Sequence, residues 1–88
     1  MITMTITYDI NNDIFTITGN AKNPVNIISN FIRTQIGQGE DLSIPNKKEI
    51  YTINIKLYPS NDTFIVSDDC GNNGLRDGIL LKYLSNEN

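Results

Sequence analysis

The residues best able to do chemistry lie close together between positions 68 and 78, in the run Asp-Asp-Cys-Gly-Asn-Asn-Gly-Leu-Arg-Asp-Gly. We expect this run to lead from the end of a strand into the start of a helix, where free backbone amides and the helix dipole can hold an anion. The side chains that could contact such a ligand are Asp68, Asp69, Asn72, Asn73, Arg76 and Asp77. A small-ligand site in this loop is therefore one hypothesis.

A structural interpretation of the same run competes with the ligand hypothesis. No lysine follows in the spacing of a phosphate-binding loop, and the two aspartates at the start of the run would repel phosphate. In the structural interpretation, Gly71 and Gly74 take special backbone dihedrals and Asn73 caps the helix. Gly78 would then permit close packing of the helix on the sheet. We favour this second interpretation.

A divalent cation is another candidate ligand for the run. Asp68, Asp69 and an asparagine oxygen would supply the oxygen ligands that hard cations prefer. However, the spacing does not match the calcium-loop pattern, and no bidentate glutamate ends the run. Solvated loop carboxylates are the simpler explanation, so we predict no metal ligands.

Catalysis is not expected of this chain. Cys70 would need a base or a depressed pKa to act as a nucleophile, but the chain has no histidine and the neighbouring aspartates raise a thiol pKa. Hydrolysis by paired carboxylates needs a cleft, and a core of this size leaves little room for a deep one. We therefore predict a small, partly buried structural cysteine, no cofactor and no enzymatic activity.

Composition narrows the class of protein. The chain has 88 residues, 39% of them hydrophobic, which fits one folded domain over residues 1–88. A net charge of −3 argues against general affinity for nucleic acid, which requires clustered lysine and arginine. Neither a signal peptide nor an apolar run of about 20 residues is present. We expect a soluble cytoplasmic protein.

Periodicity predicts two β-hairpins and two helices. Alternation of apolar residues with threonine indicates a hairpin over about residues 2–18, a third strand at 51–57 and a fourth around Phe64 and Val66. Apolar residues at helical spacing indicate helices over about 24–36 and 74–84. In the first helix Asn23 is the expected N-cap and Gly37 the stop. In the second, the expected outward residues are Arg76, Asp77 and Lys82.

The two halves of the sequence resemble each other. A shift of 49 positions superposes the turn residues and apolar positions of the hairpins, and a further one-residue slip sets Ile27 against Leu75. Either a tandem ββα repeat, with halves of about 1–40 and 49–88, or the general likeness of short hairpins explains this pattern. The connection between the halves would be held against the core by Leu42 and Ile44.

The predicted fold class is α+β, with the order ββαββα. Two ββα units with apolar faces must cover one another, which favours a four-stranded antiparallel sheet with both helices packed on one face. The opposite face would carry Thr3, Thr5, Thr7, Thr16, Thr18, Thr52, Asn54 and Lys56.

The leading functional hypothesis is a small interaction protein, of the inhibitor, immunity or accessory type, that binds a protein partner. The alternative is a module that binds a small ligand or a divalent metal through the loop at residues 68–77. A homodimer whose sheets join edge to edge is a third option. We expect no nucleic-acid or membrane partner.

Overall fold

The structure is a computed structural model that describes residues 1–35 and 43–87. Its elements are β1 (Ile2–Asp9), β2 (Ile14–Gly19), α1 (Pro24–Thr34), β3 (Ile50–Tyr58), β4 (Thr63–Asp68) and α2 (Asn73–Glu87). The predicted α+β class and the order ββαββα are confirmed. The first helix ends at Thr34 with Gln35 as its C-cap, earlier than the predicted end at about residue 36, and the predicted stop at Gly37 lies outside the described residues.

The four strands form one antiparallel sheet in the order β2-β1-β3-β4. Successive side chains of a strand point to opposite faces of a sheet, so the alternation seen in the sequence divides the residues of each strand between two faces. On one face lie the apolar residues of β1 and β3. On the other lie the threonines, because Thr5 pairs with both Thr18 and Asn54 across the ladders.

Both helices cover the apolar face of the sheet, as predicted. One continuous core joins buried residues of the central strands with buried residues of α1 and α2. The core residues are Met4, Ile6, Tyr8, Ile27, Ile28, Phe31, Tyr51, Ile53, Ile55, Leu57, Cys70, Ile79, Leu80 and Tyr83. No described residue packs over the opposite, threonine-bearing face, which we call the open face.

The two ββα units repeat the same strand registers and hairpin-turn conformation, although the loops before their helices differ. The middle pair of the β1–β3 ladder is Thr5–Asn54, whose members are 49 positions apart. Moving each member of a neighbouring pair by 49 positions gives the pair on the other side of the middle, so that Met4–Ile55 becomes Ile53–Ile6. An approximate twofold axis through the middle pair therefore relates β1–β2 to β3–β4. The hairpin turns agree, since Asp13 and Asp62, also related by this shift, have left-handed φ values of 56° and 53°. We call residues 2–35 the first unit and residues 50–87 the second unit.

The helix caps follow the same shift. Asn23 Oδ1 accepts a hydrogen bond from the backbone N–H of Asn26 at 3.2 Å, and Asn72 Oδ1 accepts one from Leu75 at 2.7 Å. The predicted cap at Asn23 is confirmed. The predicted cap at Asn73 is wrong, because Asn72 makes the capping bond and Asn73 is already the first residue of α2. The predicted one-residue slip between the two helices is also wrong, because the caps Asn23 and Asn72 are themselves 49 positions apart.

Two further expectations about packing are wrong. An added Cβ at Gly78 would meet nothing within 4 Å, so this glycine does not serve close packing on the sheet. Ile44 is 86% exposed and does not hold the connection against the core. Backbone hydrogen bonds hold this part of the connection instead. Leu42 lies outside the described residues.

Within residues 1–35 and 43–87, neither helix combines the length and the apolar character needed to cross a lipid bilayer.

Candidate functional site

The predicted site residues meet around one buried guanidinium. The Arg76 side chain is only 8% exposed, so the expectation that it points outward is wrong. Its Nε donates to Asp77 Oδ1 at 2.9 Å and its Nη1 donates to Asn73 Oδ1 at 3.0 Å. Asp68 Oδ2 lies 3.9 Å from Nη1. A planar fork of donors tolerates burial when it is paired in this way.

Arg76 also joins the two helices. Its Nη2 donates to Gln35 Oε1 at 3.3 Å, at the end of α1. Its guanidinium carbon lies 5.1 Å from the centre of the Phe31 ring, within the range of a cation–π contact. A charged residue on α2 thus holds α1 in place through both a polar and an aromatic contact.

The remaining predicted site residues are bonded within the chain as well. Asp68 Oδ1 accepts from the backbone of Cys70 at 2.9 Å. Asp69 accepts from the backbone of Thr52 and from Lys48 Nζ, both at 2.8 Å. Burial acts to raise the pKa of Asp69. The hydrogen bonds from Lys48 and Thr52 act in the opposite direction and together outweigh burial, so the pKa lies below its ordinary value.

Cys70 is fully buried, whereas only partial burial was predicted. Burial first, and then the charges of Asp68 and Asp69, raise the pKa of its thiol to about 12. The thiol is therefore protonated at neutral pH and is a poor nucleophile. In the part of the chain that the structure describes, no group of three or more histidine, cysteine or acidic residues is placed to hold a metal ion.

A segment of the connection without regular secondary structure, residues 43–48, lies over this cluster. We call it the strap. Asn46 donates from its backbone to Cys70 O and from its side chain to Asp69 O, both at 2.8 Å. Asn72 Nδ2 donates to Ser43 O at 2.8 Å. The strap passes so close to Gly71 that a Cβ there would stand 2.7 Å from Asn46 N, which explains the glycine with its φ of 90°.

The strap also closes the end of the central ladder in the second unit. Tyr51, a buried ladder residue, donates its hydroxyl to Asn46 O at 2.8 Å and accepts from Lys48 N at 3.1 Å. Among the described residues, every buried side-chain nitrogen and oxygen has a hydrogen-bond partner. The predicted site is therefore a satisfied internal network, and its use as a ligand site stays a prediction.

An open cleft lies at the corresponding place in the first unit, and sequence reasoning missed it. The cleft has a volume of about 570 Å³ and lies between α1 and the other end of the central ladder. Its lining has an apolar floor and a polar rim and consists of Ile2, Asn20, Lys22, Asn23, Asn26, Ile27, Asn30 and Leu57. The available signal was the 49-residue shift, which sets Asn26 and Asn30 against the apolar Leu75 and Ile79.

Exposed isoleucines on the open face were also missed. Ile14 and Ile50 flank Asp9 in one row across the sheet, and they are 56% and 52% exposed. Ile65 stands beside Lys56 on β4, an edge strand, and is 52% exposed. The face thus combines neutral threonine rows with separate apolar side chains that water surrounds.

Comparison of the chain with protein-family models, with curated proteins and with solved structures found no match. What the chain does is therefore inferred from the contacts, burial and charges of its own residues.

Proposed function

We propose that this chain is a non-catalytic binding protein that docks on another protein through the open face of its sheet. The observation that carries the proposal is the exposure of Ile14, Ile50 and Ile65 on a sheet face that no described residue covers. Beta-branched residues left about half exposed on a sheet lose that contact with water when a partner covers them, which favours association.

The polar part of the open face suits a protein interface. The strand residues that point to this face include two charged ones, Asp9 and Lys56, while the rest are mainly threonine, asparagine and serine. The centres of protein interfaces are depleted in charge, because an unpaired buried charge is costly. Short hydroxyl side chains also lose little conformational freedom on binding.

The size of the face sets the kind of complex. Four strands spaced about 4.8 Å apart, with some eight residues each rising about 3.3 Å, span roughly 500 Å². A standard interface buries about 800 Å² on each partner. The partner therefore also contacts the hairpin turns or strand edges around the sheet, or the complex is transient.

The loop at residues 68–77 is a weaker candidate for a binding site than the open face. Its carboxylates and amides already bond to Arg76, Lys48, the strap and the start of α2. A small ligand or a divalent cation would have to displace these bonds. The partner we propose is a protein of the same compartment, which we take to be the cytoplasm because a single buried cysteine offers no disulfide framework.

The test is a binding experiment with a matched pair of variants. Thr16→Glu combined with Thr18→Glu places two charges on the open face, and Ser85→Glu combined with Asn86→Glu places two on the exposed end of α2. We expect immobilised wild-type protein and the α2 variant to retain the same stoichiometric partner from native extract, and the open-face variant to lose it. Retention by the open-face variant would refute the role of this face.

Light scattering of the purified chain separates two forms of the proposal. A monomer supports a different protein as the partner. A dimer that the open-face variant abolishes would make the partner a second copy of the chain. A dimer that survives in the open-face variant would instead support the predicted edge-to-edge pairing through β2 or β4.

A further inference from the structure

We propose that the cleft beside α1 is a second binding site, independent of the open face, and that it takes an extended acidic peptide segment of a partner protein. The cleft lies on the helix-covered side of the sheet, since Ile2 and Leu57 form its floor together with Ile27 of α1. Its volume of about 570 Å³ falls within the usual range of ligand pockets.

The second unit shows what this place in the fold accepts. There the corresponding position is covered by the strap, a piece of chain outside any helix or strand that bonds to Cys70 O, Asp69 O and Asn72 Nδ2. In the sequence, the shift of 49 positions sets Ala21 O, Asn20 O and Asn23 Nδ2 against these three groups, but the loop geometry differs, because Gly71 has a φ of 90° whereas Lys22 has no positive φ. Within residues 1–35 and 43–87, these groups of the first unit have no hydrogen-bond partner.

The side chains of the rim match a peptide backbone. Of the four asparagines on the rim, Asn20 already bonds through both side-chain atoms and Asn23 through Oδ1. The side-chain amides of Asn26 and Asn30 bond to no described residue, and each can both donate and accept hydrogen bonds, as a peptide group does. The floor is apolar and would receive an apolar side chain of the peptide. The cleft is therefore built for a chain with polar backbone and apolar side groups.

Lys22 selects an acidic segment. It is the charged residue of the lining, and no described residue forms an ion pair with it. A carboxylate on the bound segment would complete this pair, with electrostatic attraction adding to the rate and selectivity of binding.

Lys22 also fixes the path of the peptide. It stands where the second unit has Gly71, over which the strap passes at a distance that excludes a Cβ. The bound segment therefore cannot cross Lys22 as the strap crosses Gly71. It must run beside Lys22 along α1, past Asn26 and Asn30.

The test uses the strap sequence as a probe. An acetylated and amidated hexapeptide with the sequence of residues 43–48, in which Lys47 and Lys48 are replaced by aspartate, is titrated to millimolar concentration into ¹⁵N-labelled protein. We expect chemical-shift changes at Lys22 and at the side-chain amides of Asn26 and Asn30. The peptide with its two lysines retained should bind about tenfold more weakly, because its charge opposes Lys22.

Two variants decide the site. Asn26→Leu combined with Asn30→Ile fills the cleft with the side chains of the second unit and should abolish the shift at Lys22, the reporter that this variant retains, whereas Asn86→Leu on α2 should leave all the shifts unchanged. Lys22→Ala should remove the preference for the acidic peptide. The open-face variant Thr16→Glu with Thr18→Glu should bind the peptide normally, which separates this proposal from the proposed function.

Three outcomes would overturn the proposal. They are the absence of shifts at the cleft with either peptide, shifts that persist after the cleft is filled, and equal binding of the acidic and basic peptides. Preserved amide dispersion and unfolding midpoint in each variant would exclude misfolding as the cause. Shifts produced by phenylbutyrate but not by the peptide would make the site a small-carboxylate pocket and would also overturn it.

Discussion

At one end of the β1–β3 ladder the paired residues are Tyr8 and Tyr51, and at the other end they are Ile2 and Leu57. The first pair lies in a closed end, with the Tyr51 hydroxyl bonded to the strap. The second pair forms the floor of an open cleft. The strand registers, turns and helix caps are the same in both units, so these features do not decide whether an end is closed. The units differ in side-chain size, in the strap and in the loop before the helix, where Gly71 has a φ of 90° and Lys22 has no positive φ.

The largest expected effect comes from Arg76, the buried charged residue of the second unit. Ile27 of the first unit corresponds to Arg76 of the second, so the same position is apolar in one unit and charged in the other. Arg76→Ala leaves Asp68 and Asp77 without their buried partner and should lower the free energy of unfolding by about 3 kcal/mol. Urea denaturation measures this loss.

Arg33→Ala is the control for the removal of Arg76. Arg33 is exposed on α1, so its replacement should change the stability by less than about 0.5 kcal/mol. Equal effects of the two substitutions would mean that the Arg76 network does not hold the second unit together.

Two glycines test how closely the strap is packed. Gly71→Ala should destabilise the protein by about 2 kcal/mol, because its φ of 90° disfavours a side chain and its Cβ would stand 2.9 Å from Ile44 O. Gly78→Ala should stabilise it by about 0.5–1 kcal/mol through helix propensity, since the space there is open. Thermal unfolding of both variants gives the comparison. A stabilising Gly71→Ala would contradict the close approach of the strap.

The two hairpin turns share a backbone conformation but differ in their side-chain contacts. Asp62→Gly should stabilise the protein by about 0.5–1 kcal/mol, because glycine adopts a φ of 53° without strain. Asp13→Gly should stabilise it less or destabilise it, since Asp13 accepts from the Tyr8 hydroxyl at 2.8 Å and lies 3.3 Å from Lys82 Nζ. The bond from Tyr8 and then that from Lys82 lower the pKa of Asp13. Equal shifts in melting temperature for the two variants would show that these contacts contribute nothing.

The smallest expected effect depends on pH. Asn20 Oδ1 accepts from Thr3 N, and Asp69 Oδ1 accepts from Thr52 N at the same distance of 2.8 Å, so Asp69→Asn retains an oxygen acceptor and removes only the charge facing Lys48. The loss at neutral pH should be about 0.5 kcal/mol, because the pair is partly exposed.

The sign of the pH effect follows from the lowered pKa of Asp69. The folded-state pKa lies below 3.8, so the ionised carboxylate stabilises the fold above that pH, and the contribution disappears as the pH falls through the folded-state value. The difference between wild type and Asp69→Asn should therefore vanish in stronger acid. A difference that stays constant between neutral and acidic urea titrations would contradict the ion pair.

Local signals account for what the sequence predicted correctly. Alternation fixed the four strands, helical spacing fixed the two helices, and Asn23 before Pro24 fixed the start of α1. Each of these signals depends on residues that are near one another in the chain. The prediction of which sheet face the helices cover needed only the positions of the apolar residues.

Arg76 shows where sequence reasoning failed. Charged residues are usually exposed, and only the fold brings Gln35 and the Phe31 ring to the guanidinium. The cap was misplaced because Asn72 and Asn73 are both good capping residues, although the correspondence with Asn23 would have chosen Asn72. The cleft was missed because Ile2, Lys22 and Asn30 meet only in three dimensions.

The antiparallel pairing of β1 with β3 has a consequence for how the chain folds. Each hairpin closes over a short turn, whereas Thr5 and Asn54 must find each other across 49 positions. Loop closure over such a separation is slow compared with hairpin formation, so assembly of the central ladder sets the overall rate. Substitutions at this midpoint should retard refolding, while changes in either turn should act mainly on the speed of unfolding.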